Sequence, residues 1–131
     1  MTGIVIISHS SKIAEGIKEL AEQMVHGKAK VIAAGGLDDK TIGTNAERIL
    51  VALNKLSDAS GILVMVDLGS AVMSARAAIE MLPEYRQGAI KISNAPLVEG
   101  SIIAAIEASI GADLDQVNAA AEATREVNKL K

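Results

Sequence analysis

Four short runs rich in apolar residues, each followed by a stretch of helical period, constrain this chain more than any other feature. The runs fall at residues 3–8, 30–34, 61–66 and 89–93 and are rich in Ile and Val. The continuous apolar runs at 3–8 and 61–66, without polar alternation, are expected of strands buried on both faces, and the shorter runs at 30–34 and 89–93 read as two further strands. Between them the apolar residues recur at helical spacing. Ile13, Ile17, Leu20, Ala21 and Met24 mark one helix face, ending near His26 and Gly27. Ala46, Ile49, Leu50, Leu53 and Leu56 mark a second, with Thr44 as expected N-cap and Glu47 completing a capping box. Val72, Ala75, Ile79 and Leu82 mark a third, stopped by Pro83, and Val98, Ile102, Ala105 and Ile106 a fourth, opened by Pro96 and closed by Gly111. Asp113 and Gln116 form a further capping box before a last helix expected to run from about Leu114 to near the C-terminus.

The order β-α-β-α-β-α-β-α-α predicts an α/β fold of three layers: a four-stranded, mainly parallel sheet with helices on both faces. The 131 residues suit one domain. Half of them are apolar, yet Tyr85 is the only aromatic, the net charge is −3 and there is no basic run. That composition argues against nucleic-acid binding, which uses basic patches and aromatic stacking. With no cysteine, disulfides, zinc–thiolate sites and thiol catalysis are excluded. No apolar stretch approaches the ~20 residues needed to span a bilayer. The expectation is a cytoplasmic protein that neither binds nucleic acid nor enters a membrane.

In open parallel sheets, ligands bind beyond the carboxyl ends of the strands. His9 sits there, directly after the first run, and Asp67 holds the same position after the third. If those strands are neighbours, the carboxylate can accept a hydrogen bond from one imidazole nitrogen and leave the other free to attack. A neutral imidazole is a competent nucleophile near neutral pH. The alternative is a turn histidine and a helix-capping aspartate that never meet. Ser10 and Ser11 precede the first helix, and Gly69 and Ser70 the third. Such helix starts can bind a phosphate through free N–H groups, or the serines can simply act as N-caps. The loop at 35–43, containing Gly36 and Gly43 and followed by Thr44, either borders this site or is a solvated turn. His26 is expected to end a helix rather than to catalyse. Asp38 and Asp39 lack the partner spacing of a metal site, so no metal is expected. Met65, Met73 and Met81 are expected in the core. Glu99 reads as helix-dipole charge, and Arg76 as either a solvated residue or an anion contact. Neither nucleotide-binding glycine motif is present, so a phosphoryl group attached to the protein fits better than a bound nucleotide.

Four segments carry a resemblance over essentially the whole chain. They are Gly3-Ile4-Val5-Ile6-Ile7-Ser8-His9-Ser10; Gly35-Gly36 with Ile42-Gly43-Thr44; Val66-Asp67-Leu68-Gly69-Ser70-Ala71; and Asn94-Ala95-Pro96-Leu97-Val98-Glu99-Gly100. In this order the set closely resembles the phosphotransferase subunits of bacterial phosphoenolpyruvate-dependent dihydroxyacetone kinases, relatives of the mannose-type IIA domain. The resemblance implies a single IIA-type phosphocarrier domain over residues 1–131, strand order 2-1-3-4 and a homodimer. It implies that His9 is phosphorylated, with no permanently bound cofactor, and that Asp67 orients the imidazole. It implies a histidine-phosphorylated carrier protein as donor and, as acceptor, ADP held on a dihydroxyacetone kinase subunit. The chain has Leu68-Gly69-Ser70-Ala71 where the mannose transporter pattern carries a longer Thr-Trp-Gly-Gly-Ser-Pro stretch, which favours the kinase branch over sugar transport. Some family members carry carrier domains on the same chain; the length here leads to the expectation of a separate donor polypeptide. A sugar-transporter IIA component and a non-enzymatic anion- or protein-binding module are the competing readings.

Overall fold

A computed structural model describes residues 1–130. Its elements are β1 (Thr2–Ser8), α1 (Ser11–Val25), β2 (Val31–Gly35), α2 (Ala46–Lys55), β3 (Gly61–Val66), α3 (Gly69–Glu80), α4 (Glu84–Gln87), β4 (Ile90–Ile92), α5 (Leu97–Ser109) and α6 (Leu114–Ala123), followed by a 3-10 turn at Thr124–Glu126. All strand pairs are parallel and the order is β2-β1-β3-β4, the arrangement expected. The one-turn α4 and the early end of α6 are departures. The helix expected to reach the C-terminus stops at Ala123, where the backbone tightens into the 3-10 turn. Among the described residues no helix is long and apolar enough to cross a membrane.

Strand alternation divides the core in two. Ile4, Ile6, Leu63 and Met65 point to the side covered by α1, α5 and α6. Val5, Ile7, Ile62 and Val64 point to the side covered by α2 and α3. Central β1 is buried along its whole length, which is why its sequence shows no polar alternation.

Three helices are rotated from the setting that their large apolar residues predict. In α1 the buried residues are Ala14, Ile17, Ala21 and Val25, while Ile13, Leu20 and Met24 are about half exposed. In α3 the inward residues are Ala71, Ala75 and Ala78, with Val72 and Ile79 at the flanks. In α5 they are Gly100, Ser101, Ala104, Ala105 and Ala108; Val98 is exposed, and Ile102 and Ile106 pack at the edge. The strands already supply the bulky branched side chains, so small residues let the helix axes approach and close the gaps. A Cβ on Gly100 would lie 3.0 Å from the Met65 Cε of β3, a measure of that approach. Met65 is buried as expected, but Met73 and Met81 lie on the outer side of the fold and are exposed. The stripe expected for α2 holds, with Ile49, Leu53 and Leu56 buried.

Candidate active site

The register of β1 and β3 pairs Ile7 with Val66, so the two strands end together and place His9 and Asp67 side by side. Asp67 Oδ1 lies 2.9 Å from His9 Nδ1, and Oδ2 accepts the His9 backbone N–H at 2.9 Å. The Leu68 N–H donates to Oδ1 at 2.7 Å and the Ser8 hydroxyl donates to Oδ2 at 3.0 Å. Burial pushes the Asp67 carboxyl up, but the hydrogen bonds from the His9 backbone, the His9 ring, Ser8 and Leu68 outweigh it. The group therefore sits below the ordinary carboxylate range. An ionised carboxylate can only accept, so the proton of the ring resides on Nδ1. Nε2 then carries the lone pair.

Nε2 faces Ser70 Oγ at 2.8 Å; with Nδ1 protonated, the serine hydroxyl is the donor. Ser70 is therefore not an N-cap. The N-cap of α3 is Leu68, which makes no side-chain capping bond. The His9 side chain is 23 % exposed and that of Asp67 17 %, so both are partly buried and the pair is in contact with solvent.

Two glycines shape the entrance. Gly36, at φ 75°, donates its N–H to the Ser8 carbonyl at 3.0 Å, and Gly43 donates to the His9 carbonyl at 2.8 Å. The loop after β2 thus borders the site, the first of the two possibilities the sequence left open. A cleft of about 220 Å³ beside it is lined by Ser10, Ser11, Lys12, Lys40, Thr41 and Ile42, with Asp39 at its edge.

The other candidates fall as follows. Ser10 is the N-cap of α1, its hydroxyl oxygen accepting the Ile13 N–H at 3.3 Å while its own proton stays available to a further acceptor. Ser11 and Gly69 are the first residues of α1 and α3. Thr44 does not cap α2; Asn45 does, accepting from the N–H groups of Glu47 and Arg48. The amide side chain reaches two donors at once, whereas the Thr44 hydroxyl is taken by Ser74 Oγ at 2.6 Å, tying the loop to α3. His26 ends α1 in the left-handed conformation, φ 53°. Asp38 closes its own turn by accepting from the N–H groups of Lys40 and Thr41. Glu99 pairs with Lys129 in the first turn of α5, and Arg76 is exposed.

The residue that the sequence reading passed over is Ser8. Its one legible signal is a hydroxyl closing an otherwise apolar run immediately before the histidine.

Residues 3–118 match the family model described as the phosphotransferase-system fructose IIA component. The chain is 42 % identical over 120 residues to the protein named phosphoryl donor subunit DhaM of the PEP-dependent dihydroxyacetone kinase of Escherichia coli. That match covers 89 % of this chain but 25 % of the relative, so the chain spans about a quarter of the length of that longer protein. A shorter relative from Listeria innocua, the phosphoryl donor subunit DhaM of its PEP-dependent dihydroxyacetone kinase 2, is 37 % identical, with 84 % of this chain and 88 % of the relative covered. Among solved structures, a protein titled as of unknown function superposes with TM-score 0.82 at 36 % identity, covering 93 % of both chains. A phosphotransferase system EIIA component from Streptococcus agalactiae superposes with TM-score 0.69 at 19 % identity, covering 98 % of this chain and 97 % of that one, a likeness of fold.

Proposed function

This chain belongs to the family of phosphotransferase-system fructose IIA components, and from that premise we propose that it carries a phosphoryl group on Nε2 of His9. The donor in this reading is a histidine-phosphorylated carrier protein. The acceptor is ADP held on a dihydroxyacetone kinase subunit, in keeping with the names of the curated relatives. Residues 1–131 act as one phosphocarrier domain in the cytoplasm.

The observation that carries the reading is the two-sided hold on the imidazole: Asp67 Oδ1 on Nδ1 and Ser70 Oγ on Nε2. In the first step the Nε2 lone pair attacks phosphorus. A P–N bond forms to Nε2 as the P–N bond of the donor breaks, and that electron pair returns to the donor imidazole. The product ring, still protonated on Nδ1, is cationic, and the Asp67 carboxylate stabilises it, as the orienting aspartate of a catalytic triad does. Ser70 Oγ, freed from Nε2, turns to donate to a phosphoryl oxygen, and the N–H groups at the starts of α1 and α3 face the same charge. In the second step a β-phosphate oxygen of ADP attacks phosphorus. The Nε2–P bond breaks, its pair returns to the ring, and ATP forms on the acceptor subunit. Positioning and charge stabilisation supply most of what phosphoryl transfer needs.

Incubation with the phosphorylated carrier is expected to give one acid-labile, base-stable phosphoryl label, absent in His9→Ala. Labelling of His9→Ala to the wild-type level refutes the assignment. Passage of the label to a sugar-transport subunit, and not to nucleotide on the kinase subunit, refutes the acceptor. The reading includes a homodimer, supported by Ile13, Leu20 and Met24, which share one side of α1 and are about half exposed. A monomeric mass by light scattering at micromolar concentration counts against it.

A further inference from the structure

We infer that Ser8 is a positioning residue for the transfer, acting through Asp67 to hold the His9 ring in the tautomer that leaves Nε2 free; this rests on the reading of His9 given above. Ser8 is fully buried at the last position of β1. Its hydroxyl has two neighbours. The Ser10 N–H lies 3.1 Å from Ser8 Oγ, and Asp67 Oδ2 lies 3.0 Å away. A backbone N–H can only donate, so Ser8 Oγ must accept there. The single hydroxyl proton is then available to Asp67, and a carboxylate can only accept it. Both partners thus dictate one polarity, running from the Ser10 N–H through the Ser8 hydroxyl to Asp67 Oδ2.

That polarity has chemical consequences. Oδ2 receives its hydrogen bonds from Ser8 and the His9 backbone, which leaves Oδ1 aimed at Nδ1. The carboxylate is held in one plane, so the ring is held in one plane. The hydroxyl also draws charge from the carboxylate and lowers its proton affinity, so the ring proton stays on Nδ1 and is not surrendered to Asp67. Because Ser10 is the N-cap of α1, the same hydroxyl ties the start of that helix to the site. Within hydrogen-bonding reach of Asp67, His9 is the titratable partner among the described residues; Lys12 and Lys40 line the neighbouring cleft.

Replacing Ser8 by Ala removes one donor to a carboxylate and orphans the Ser10 N–H, with no new bulk. The rate of His9 phosphorylation by the carrier is expected to fall about tenfold, the scale of one charge-assisted hydrogen bond. Its acid limb is expected to move to higher pH, since a carboxylate relieved of one donor favours the doubly protonated, non-nucleophilic ring more strongly. Ser8→Thr, which keeps the hydroxyl, is expected to restore both. A second readout needs no donor: the ¹⁵N shifts of the His9 ring in the unphosphorylated protein. Wild type is expected to show protonated Nδ1 and unprotonated Nε2, and Ser8→Ala a larger share of the other tautomer. A Ser8→Ala rate, pH profile and ring spectrum that superpose on wild type overturn the inference. So does a loss of rate with the profile and tautomer unchanged, which is the mark of a merely structural residue. Absence of any phosphorylation in the wild type instead defeats the proposed function, and the ring spectra still decide the role of Ser8.

Discussion

Asp67 grips His9 twice, once at the ring and once at the backbone. Its two oxygens lie 2.9 Å from Nδ1 and 2.9 Å from the His9 N–H. The first contact selects the tautomer, and the second fixes where the ring begins. Neither alone would orient the imidazole, because the ring could otherwise swing about χ1 and χ2. Ser70, on the far side of the ring, completes a three-point hold.

Asp67→Asn tests the tautomer argument. An amide at 67 keeps the shape but presents an NH₂ group. If that group faces Nδ1 it favours the tautomer with the proton on Nε2 and withdraws the nucleophilic pair. The initial rate of His9 labelling is expected to drop by about 10⁴-fold, the scale seen when an orienting aspartate becomes asparagine, with circular dichroism unchanged. A rate within about threefold of wild type would deny Asp67 this role.

Ser70→Ala tests the other nitrogen. The substitution frees Nε2 in the resting state and deletes the donor proposed to serve a phosphoryl oxygen. The half-life of the phosphohistidine and the rate of forward transfer are both expected to fall, the latter about tenfold. If neither moves, the 2.8 Å contact belongs to the resting protein only.

Asp67 also makes stability depend on pH. Its carboxyl is held below the ordinary range in the folded state, so the folded protein binds that proton less readily than the unfolded chain does. The resulting stabilisation is fully present above the ordinary carboxylate pKa, roughly 3.9. It is lost as pH falls through the folded-state value. Chemical denaturation between neutral pH and pH 3 is expected to show a steeper acid loss for wild type than for Asp67→Asn. Parallel curves would mean that the four donors do not act on the carboxylate as described.

Two glycines in or beside α1 are expected to respond with opposite signs. A Cβ on Gly35 would meet Ser10 O at 2.6 Å, the Ala14 Cβ at 2.7 Å and the Ser11 Cα at 2.9 Å. These are atoms of a packed helix start, which cannot step aside. Gly35→Ala should cost about 1–3 kcal/mol and slow His9 phosphorylation, since the displaced turn carries His9. Gly16 lies within α1 and a Cβ there meets nothing within 4 Å. Gly16→Ala should stabilise by roughly 0.5–1 kcal/mol without touching the rate. Thermal or urea unfolding of both variants checks the pair, and equal effects would remove the steric argument.

Much of the candidate site is legible in the sequence. A histidine and an aspartate each ending an apolar run pointed to one sheet edge, and the strands prove to be neighbours with matched ends. The serine after Asp67 was also in view, though as a helix cap or phosphate contact and not as the partner of Nε2. Ser8 was not in view, because its importance lies in contacts with residues 2 and 59 positions away. Asn45 was passed over for Thr44 for a similar reason. Both residue types cap helices well, and the contact that removes Thr44 from the cap is with Ser74, 30 residues along the chain.

By itself the sequence determined four strands, two of them buried along nearly their whole length, the helices that connect them and the position of the one imidazole at a strand end. Those features follow from local periodicity and composition, which every conformation of the chain shares. The tertiary structure decided how the helices are turned and which hydroxyl meets which atom. The apolar residues of α1, α3 and α5 offer more than one stripe to bury, and periodicity ranks stripes by size while packing ranks them by fit. The sheet is already filled by Ile and Val, so the small side won, leaving Ile13, Leu20, Met24 and Met73 facing outward. The proposed use of Nε2 rather than Nδ1 likewise rests on geometry, because the register of β1 against β3 sets a carboxylate 2.9 Å from one nitrogen and leaves the other to a serine.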